Sequence, residues 1–352
     1  MARSTNMIIP EILEDALFRK SAEITDVFNA SSGGAITLIS DPTEQKTSGG
    51  DFTEPVRIKR AADLITRADD INPTNTATVV SITQGQGKRV RLDQKIGPAK
   101  FTDNEVLRGF KTPKQYSQAL GEMFASEMLV TIRNLGISAA VAGVEAADTT
   151  DGTTSSANIH INDFASGPVA TGAAVATQAR VNQLLNKMAD ARGRIKTMVM
   201  PSEIWADLVG DTISNYKYTE VVDSVFYTEN VPIFGRRMLV ADVPALTSDL
   251  SSSYYDEYYM LGLGAGGITC RITHMGATET ERVITGEVPY SLFRKDFTVE
   301  IGLSGLKWAG GINPTTAALA TAGNWDEDYE DHRDCELVKG VFHSYNGGTE
   351  VS

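Results

Sequence analysis

The sequence predicts an α+β fold, and three stretches of the chain indicate it. Residues 48–96 alternate β-branched and polar side chains between glycines and prolines, which is typical of strands. Residues 112–143 carry one apolar stripe at helical spacing, so a long helix is expected there. Residues 270–308 alternate again, as antiparallel strands do. Helices and strands that occupy separate parts of the chain are typical of the α+β class.

The first part of the chain, residues 1–47, is predicted to be an N-terminal arm. Pro10 precedes an acidic first turn and a short apolar pattern, which predicts a short helix that has ended by Gly33 and Gly34. This arm has too little apolar surface to form a domain. We therefore expect it to pack on the main body or on a neighbouring molecule.

An extended β-hairpin loop is predicted over residues 48–96, with strands near residues 55–60, 77–82 and 88–92. Residues 51–111 contain eleven Lys and Arg against eight Asp and Glu, so this segment is positive in a chain of net charge −13. Six basic residues in it alternate with apolar residues and are expected on one strand face: Arg57, Lys59, Arg60, Lys88, Arg89 and Arg91. Three interpretations stay open, namely a solvated face, ion pairs with other subunits, and contact with nucleic acid.

The long helix is predicted over residues 112–143, with Thr112 as N-cap and Pro113 at the first helical position. Its length would be roughly 48 Å at the rise of an α-helix. The apolar stripe consists of Tyr116, Leu120, Phe124, Met128, Ile132 and Leu135. A low-complexity connector with turn residues follows at residues 146–172, which is where a domain boundary is expected.

The second half of the chain is predicted as three parts. Residues 174–280 are expected to mix helices and strands, because a helix ending near Gly193 precedes a strand at Ile195 and a capped helix from Ser202. Residues 281–311 continue as antiparallel strands. Residues 312–352 hold eight acidic against two basic residues and show no clear apolar period, which predicts a solvated or loosely packed acidic C-terminal tail.

The sequence offers no pattern for catalysis, for a cofactor or for a metal. Residues 262–267 match the glycine spacing of a dinucleotide-binding turn, but a strand pattern follows where that turn requires a helix, so a bend between strands is expected. Four scattered histidines have no ligand spacing. The acidic run 326–334 lacks the order of a calcium loop, and residues 302–305 only approach a nucleophile elbow.

Charge and composition narrow the partners. A net charge of −13 argues against a sequence-independent grip on DNA, although it is compatible with a protein that merely encloses DNA. No apolar run is long enough to span a membrane, and no signal peptide is recognised, so a cytosolic protein is expected. Cys270 and Cys335 lie far apart and do not predict a disulfide framework.

The order of these elements, together with local phrases, resembles one family. Residues 196–205 run from an apolar strand that ends in Met through a small polar cap to a helix with an aromatic residue. Residues 234–242 read as turn, strand and aspartate, and residues 258–267 as a late strand with a glycine-rich bend. Residues 302–308 close on a tryptophan. Over about residues 1–311 the chain resembles the major capsid protein fold of tailed double-stranded-DNA bacteriophages, of the Hong Kong ninety-seven type.

The resemblance implies an N-terminal arm (residues 1–47), an extended loop (48–96) and a peripheral domain (97–173) that carries a spine helix (112–143) and the connector. It further implies an α/β axial domain (174–280) and return strands of the peripheral domain (281–311). It implies a structural subunit without catalysis, which self-assembles as pentamers and hexamers of an icosahedral shell around the phage genome, in the virion and, during assembly, in the host cytoplasm. The long helical pre-sequence of some members is not found here, so a separate scaffolding protein is expected, with a portal and possibly a decoration protein. An encapsulin-like compartment and a soluble α+β enzyme are the alternatives.

Overall fold

The described residues form two main β-sheets, and one long helix packs against both. The computed structural model describes residues 8–40, 52–53, 57–58, 84–85, 87–102, 112–150, 159–165, 175–215, 236–248, 255–283, 290–329 and 332–345. The helices are α1 (Pro10–Ser31), α2 (Pro113–Thr150), α3 (Gln178–Leu185), α4 (Ser202–Asn215) and α5 (Thr316–Leu319).

The first sheet has five strands in the order β1-β11-β12-β5-β2. These strands are β1 (Ile36–Ser40), β2 (Phe52–Thr53), β5 (Lys88–Thr102), β11 (Ile268–Val283) and β12 (Tyr290–Leu303). The three long strands β11, β12 and β5 are antiparallel to one another, β2 is antiparallel to β5, and β1 lies parallel to β11. Alternate residues of β5, β11 and β12 are buried on one side of the sheet, which α1 and α2 cover. That side is called the inner face below, and the opposite side the outer face.

The second sheet has six strands, five of them in the order β6-β15-β10-β7-β8. Its strands are β6 (Ile161–Asp163), β7 (Ile195–Met200), β8 (Arg237–Val240), β9 (Thr247–Ser248), β10 (Tyr255–Gly264) and β15 (Leu337–Tyr345), with β9 beside β10. Side chains of α3 and α4 fill a core on one side of this sheet, and α2 contributes to the core on the other. Two short pairs complete the described strands: β3 (Arg57–Ile58) with β4 (Gln84–Gly85), and β13 (Leu306–Trp308) with β14 (Trp325–Glu327).

The long helix α2 begins where the sequence predicts it. The Thr112 hydroxyl accepts the N–H of Gln115 at 3.3 Å, and all six residues of the predicted stripe are buried. The helix continues beyond residue 143 because Gly143 leaves room for Leu303, whose methyl carbon would lie 2.6 Å from a Cβ there. By length and mean hydropathy α2 resembles a membrane span, but 67% of that stretch is buried within the protein, as in a core helix.

The N-terminal helix α1 is longer than expected. It has 22 residues and packs against α2, so the prediction of a short helix is wrong, whereas packing on the main body is one of the two expected placements. Gly121 permits the close approach of the two helices, because a Cβ there would lie 2.5 Å from the carbonyl oxygen of Leu13. Strand β1 follows α1 directly and was not predicted. Its apolar run is only five residues long and follows two glycines.

The prediction of a loose acidic tail is also wrong. Strand β15 lies between β6 and β10 in the second sheet, and Phe342 is fully buried. Trp325 of β14 is buried against Trp308, with ring centroids 5.0 Å apart. The net negative charge of the last forty-one residues led to the wrong prediction for this strand. Most of the acidic residues lie between β14 and β15 in the sequence rather than in β15 itself.

Other predictions fare unevenly. The glycine-rich stretch is a turn between β10 and β11, as expected, with Gly266 at φ +69°. Helix α3 ends at Leu185, and a 3₁₀ segment continues the chain to Arg194. Ala189, with φ +46°, interrupts this segment, so the helix does not extend to Gly193 as predicted. The predicted strand at residues 77–82 lies outside the described residues.

Candidate assembly surface

The six predicted basic residues fall in different places. Lys88, Arg89 and Arg91 lie on β5, where Lys88 and Arg89 pair with β2. Arg57 lies in β3, opposite Gly85. Lys59 and Arg60 lie outside the described residues.

The basic residues of β5 do not share one face, which corrects the prediction. Side chains alternate along a strand, so Lys88 is on the side of the buried Val90, and Arg89 and Arg91 are on the outer face. The strand also belongs to the body of the sheet, because β5 pairs with β12 from Val90 to Thr102. At Arg91, therefore, β5 does not project from the subunit as the hairpin interpretation expected.

Arg91 has a partner within the subunit. Glu300 of β12 is directly opposite Arg91 on one side and Arg271 of β11 on the other. Glu300 is only 3% exposed, whereas both arginines are half-buried. Opposite charges facing each other across strands stabilise a sheet, and a buried carboxylate requires such partners. Sequence alone did not single out Glu300 or Arg271, since neither lies in a charge cluster.

Arg89 lies near the end of the same outer face. Its Cγ would be 3.0 Å from a Cβ on Gly302, so the absence of a side chain at Gly302 makes room for the arginine stem. Arg89 is half-buried. This end of the outer face therefore carries three arginines, of which Arg91 and Arg271 are directly opposite Glu300 and Arg89 lies at Gly302.

A groove of about 510 Å³ runs across β5, β12 and β11 on the outer face. Its lining includes Asp93, Lys95, Glu279, Arg294 and Asp296, all of which are exposed. Two hydrogen bonds of 3.0 Å join the guanidinium of Arg294 to the Asp296 carboxylate, which raises the pKa of Arg294. The Thr298 hydroxyl donates to Asp93 at 2.8 Å.

These side chains suit a protein–protein contact surface better than a catalytic or metal-binding site. Charges of both signs alternate across the groove, as at polar protein interfaces. Within the described ranges, no group of three or more His, Cys, Asp or Glu residues could hold a metal ion. The outer face is therefore a charged and exposed surface on a structural framework.

Comparison with solved structures supports the fold. The capsid of Ralstonia phage GP4 is similar, with a TM-score of 0.50 at 9% identity, over 91% of this chain and 90% of that chain. The capsid of Helicobacter pylori bacteriophage KHP30 matches with a TM-score of 0.48 at 10% identity, over 88% of each chain. A search of curated proteins finds no significant match.

A comparison of the sequence with family models identifies the family. A model of the Gp13-like family, described as major capsid protein 13-like, matches residues 7–336, and the chain belongs to this family. It is a major capsid protein, a structural subunit of the phage head shell found in the virion. The family implies a structural rather than an enzymatic role. The match favours the phage head over both alternatives, the encapsulin-like compartment and the soluble enzyme.

Proposed function

We propose that copies of this chain associate as pentamers and hexamers of an icosahedral shell, in which the outer face of the five-stranded sheet contacts neighbouring subunits. The observation that carries the proposal is the charged groove on this face. A shell protein repeats each contact by symmetry, and exposed charges of both signs can pair with a neighbouring copy.

The basic residues of segment 48–96 are also proposed to contact neighbouring subunits. Arg57, Lys59, Arg60, Lys88 and Arg89 are proposed to form ion pairs between subunits, with segment 48–96 overlapping a neighbour and residues 174–280 meeting at the centre of each ring. Arg91 differs, because Glu300 already faces it within the sheet. Exposed ion pairs contribute about 0–1 kcal/mol each, so their effect depends on repetition through the shell.

The enclosed genome and the other head proteins complete the proposal. A chain of net charge −13 suits a wall that encloses double-stranded DNA without sequence-specific binding. A separate scaffolding protein is proposed to direct assembly, with a portal and possibly a decoration protein as further partners. Nucleic acid inside purified particles supports a phage head, whereas a protein cargo without nucleic acid would support an encapsulin-like compartment.

The double variant Lys88→Glu with Arg89→Glu tests the assigned contacts. We expect circular dichroism and melting of the free subunit to change little, because both residues lie at the end of β5. Shell yield, measured by sedimentation, should fall and become sensitive to salt. Unimpaired shells, or a subunit that no longer folds, would each refute the assignment.

A further inference from the structure

Lys295 is a charged side chain in the apolar inner row of β12. The buried residues that share its side of the strand include Phe293, Phe297 and Val299. Lys295 itself is only 2% exposed. A lysine in such surroundings is strongly unfavourable unless its ammonium group is paired.

Glu14 of α1 is the partner of this lysine. Oε1 of Glu14 lies 2.8 Å from Nζ of Lys295 and accepts the backbone N–H of Thr278 at 3.1 Å. The Thr278 hydroxyl also donates to Glu14. Thr278 of β11 lies directly opposite Lys295 of β12, just after a register shift between Met275 and Thr278. Two strands and the helix therefore meet at one carboxylate.

The other contacts of α1 are of a different kind. The N–H of Ile9 donates to the Ser117 hydroxyl at 2.9 Å, and Leu13 and Leu17 are buried in the core. Apolar contacts favour docking of the helix, but they tolerate small shifts in its position. The buried ammonium group of Lys295 is more demanding, since a shifted helix would take away its carboxylate partner and leave it the Thr278 hydroxyl at 3.3 Å.

We propose that the Glu14–Lys295 pair positions α1 on the five-stranded sheet and acts as an acid-labile latch for this helix. The two partners are unequal. Without the Glu14 charge, Lys295 is left buried and unpaired, and the helix is loosened. Without the Lys295 charge, the inner row becomes apolar and the helix remains docked. The latch is independent of which surfaces join neighbouring subunits.

A second buried lysine provides a contrast. Lys339 of β15 pairs with Glu145 of α2 and lies 3.8 Å from the centroid of the Tyr259 ring. Helix α2 contributes to the cores of both sheets, so it cannot lift without opening them. Helix α1 precedes the sheets and reaches the second sheet mainly at its end, where the Thr197 hydroxyl donates to the Ser32 carbonyl at 2.7 Å. Of these two pairs, the Glu14 pair is therefore the one whose loss can release a helix locally.

Acid acts on the latch through Glu14. Burial would raise the pKa of this carboxyl, but hydrogen bonds from Lys295 and Thr278 and the Lys295 charge hold the pKa below its ordinary value of 4.5. Stability from such a group is complete above the ordinary value and is lost as the pH falls through the lowered one. The other helix facing α1 presents Glu122, which lies 3.9 Å from Arg19, and β1 carries no charged residue.

Hydrogen exchange of residues 10–31, followed by mass spectrometry in the full-length chain, tests the latch. Glu14→Gln should speed exchange of α1 by about 10- to 100-fold at neutral pH, because it leaves Lys295 unpaired. Lys295→Met should exchange as slowly as the wild-type chain. This variant should also lose the acid-dependent release of α1 that we expect in the wild-type chain below pH 4.5.

The double variant Glu14→Gln with Lys295→Met should restore slow exchange. Glu23→Gln is the matched control, because it removes an exposed pair with Lys20, at 3.0 Å, from the same helix and should change nothing. Exchange of β15 should be equal in all variants, which separates release of α1 from general unfolding. The latch is refuted if Lys295→Met loosens α1 as much as Glu14→Gln does, or if Glu14→Gln has no effect. If Glu14→Gln does not fold, a folded double variant supports the latch and an unfolded one refutes it.

Discussion

The two faces of the five-stranded sheet use charge in opposite ways. The inner face is apolar and covered by α1 and α2, and its one buried lysine is paired with Glu14. The outer face carries an open groove with charges of both signs. The charged pair on the inner face therefore lies within the subunit, whereas the groove charges are exposed and are proposed to contact other subunits. The row Arg91, Glu300 and Arg271 is intermediate, because it lies on the outer face around a buried carboxylate.

The largest effect is expected on the inner face, from Phe124→Asp. The Phe124 ring stacks on Phe293 with centroids 5.0 Å apart, and the residue is buried. A carboxylate there should destabilise the subunit by several kcal/mol and prevent soluble folding. Yield of soluble protein and thermal melting measure the effect. Met123→Asp is the matched control, since the neighbouring Met123 is 48% exposed. Normal melting of the Phe124 variant would show that this face is not the core.

An intermediate effect is expected from Arg91→Glu, which places two carboxylates opposite each other at the buried Glu300. We expect a loss of roughly 1–3 kcal/mol in the free energy of unfolding, reduced from the full cost of a buried charge because Arg91 is half-buried. Chemical denaturation of the free subunit measures the loss. Lys95→Glu, on the same strand and exposed opposite Asp296, should cost less than about 1 kcal/mol. Equal losses for the two variants would remove the distinction between the row and the groove.

The prediction with the smallest effect on the fold is a chemical-labelling test of the inner face. Burial raises the pKa of the Cys270 thiol to about 12, and its sulfur faces Gly136 of α2. An alkylating reagent at pH 8 should therefore leave Cys270 unmodified in the folded subunit and modify it after unfolding. Mass spectrometry of the labelled protein checks this. Rapid labelling under native conditions would mean that α2 opens from the sheet.

Sequence reasoning predicted those parts of the molecule in which pattern and local chemistry agree. The stripe of α2 and the cap at Thr112 are confirmed, because periodic apolar residues and an N-cap act locally. The C-terminal strand β15 was missed because charge averaged over a long segment conceals a short buried strand. The pairs that order charge in the sheet were missed for another reason. Glu14 and Lys295 are 281 residues apart, and only the register of the strands brings them together.

Sedimentation of the full-length chain tests the central claim, that this protein builds a shell. Analytical ultracentrifugation is combined with negative-stain microscopy, for the chain alone and after co-expression with the proposed scaffolding protein. The account predicts closed particles of megadalton mass that contain many copies of the chain. Monomers or dimers under both conditions would contradict it.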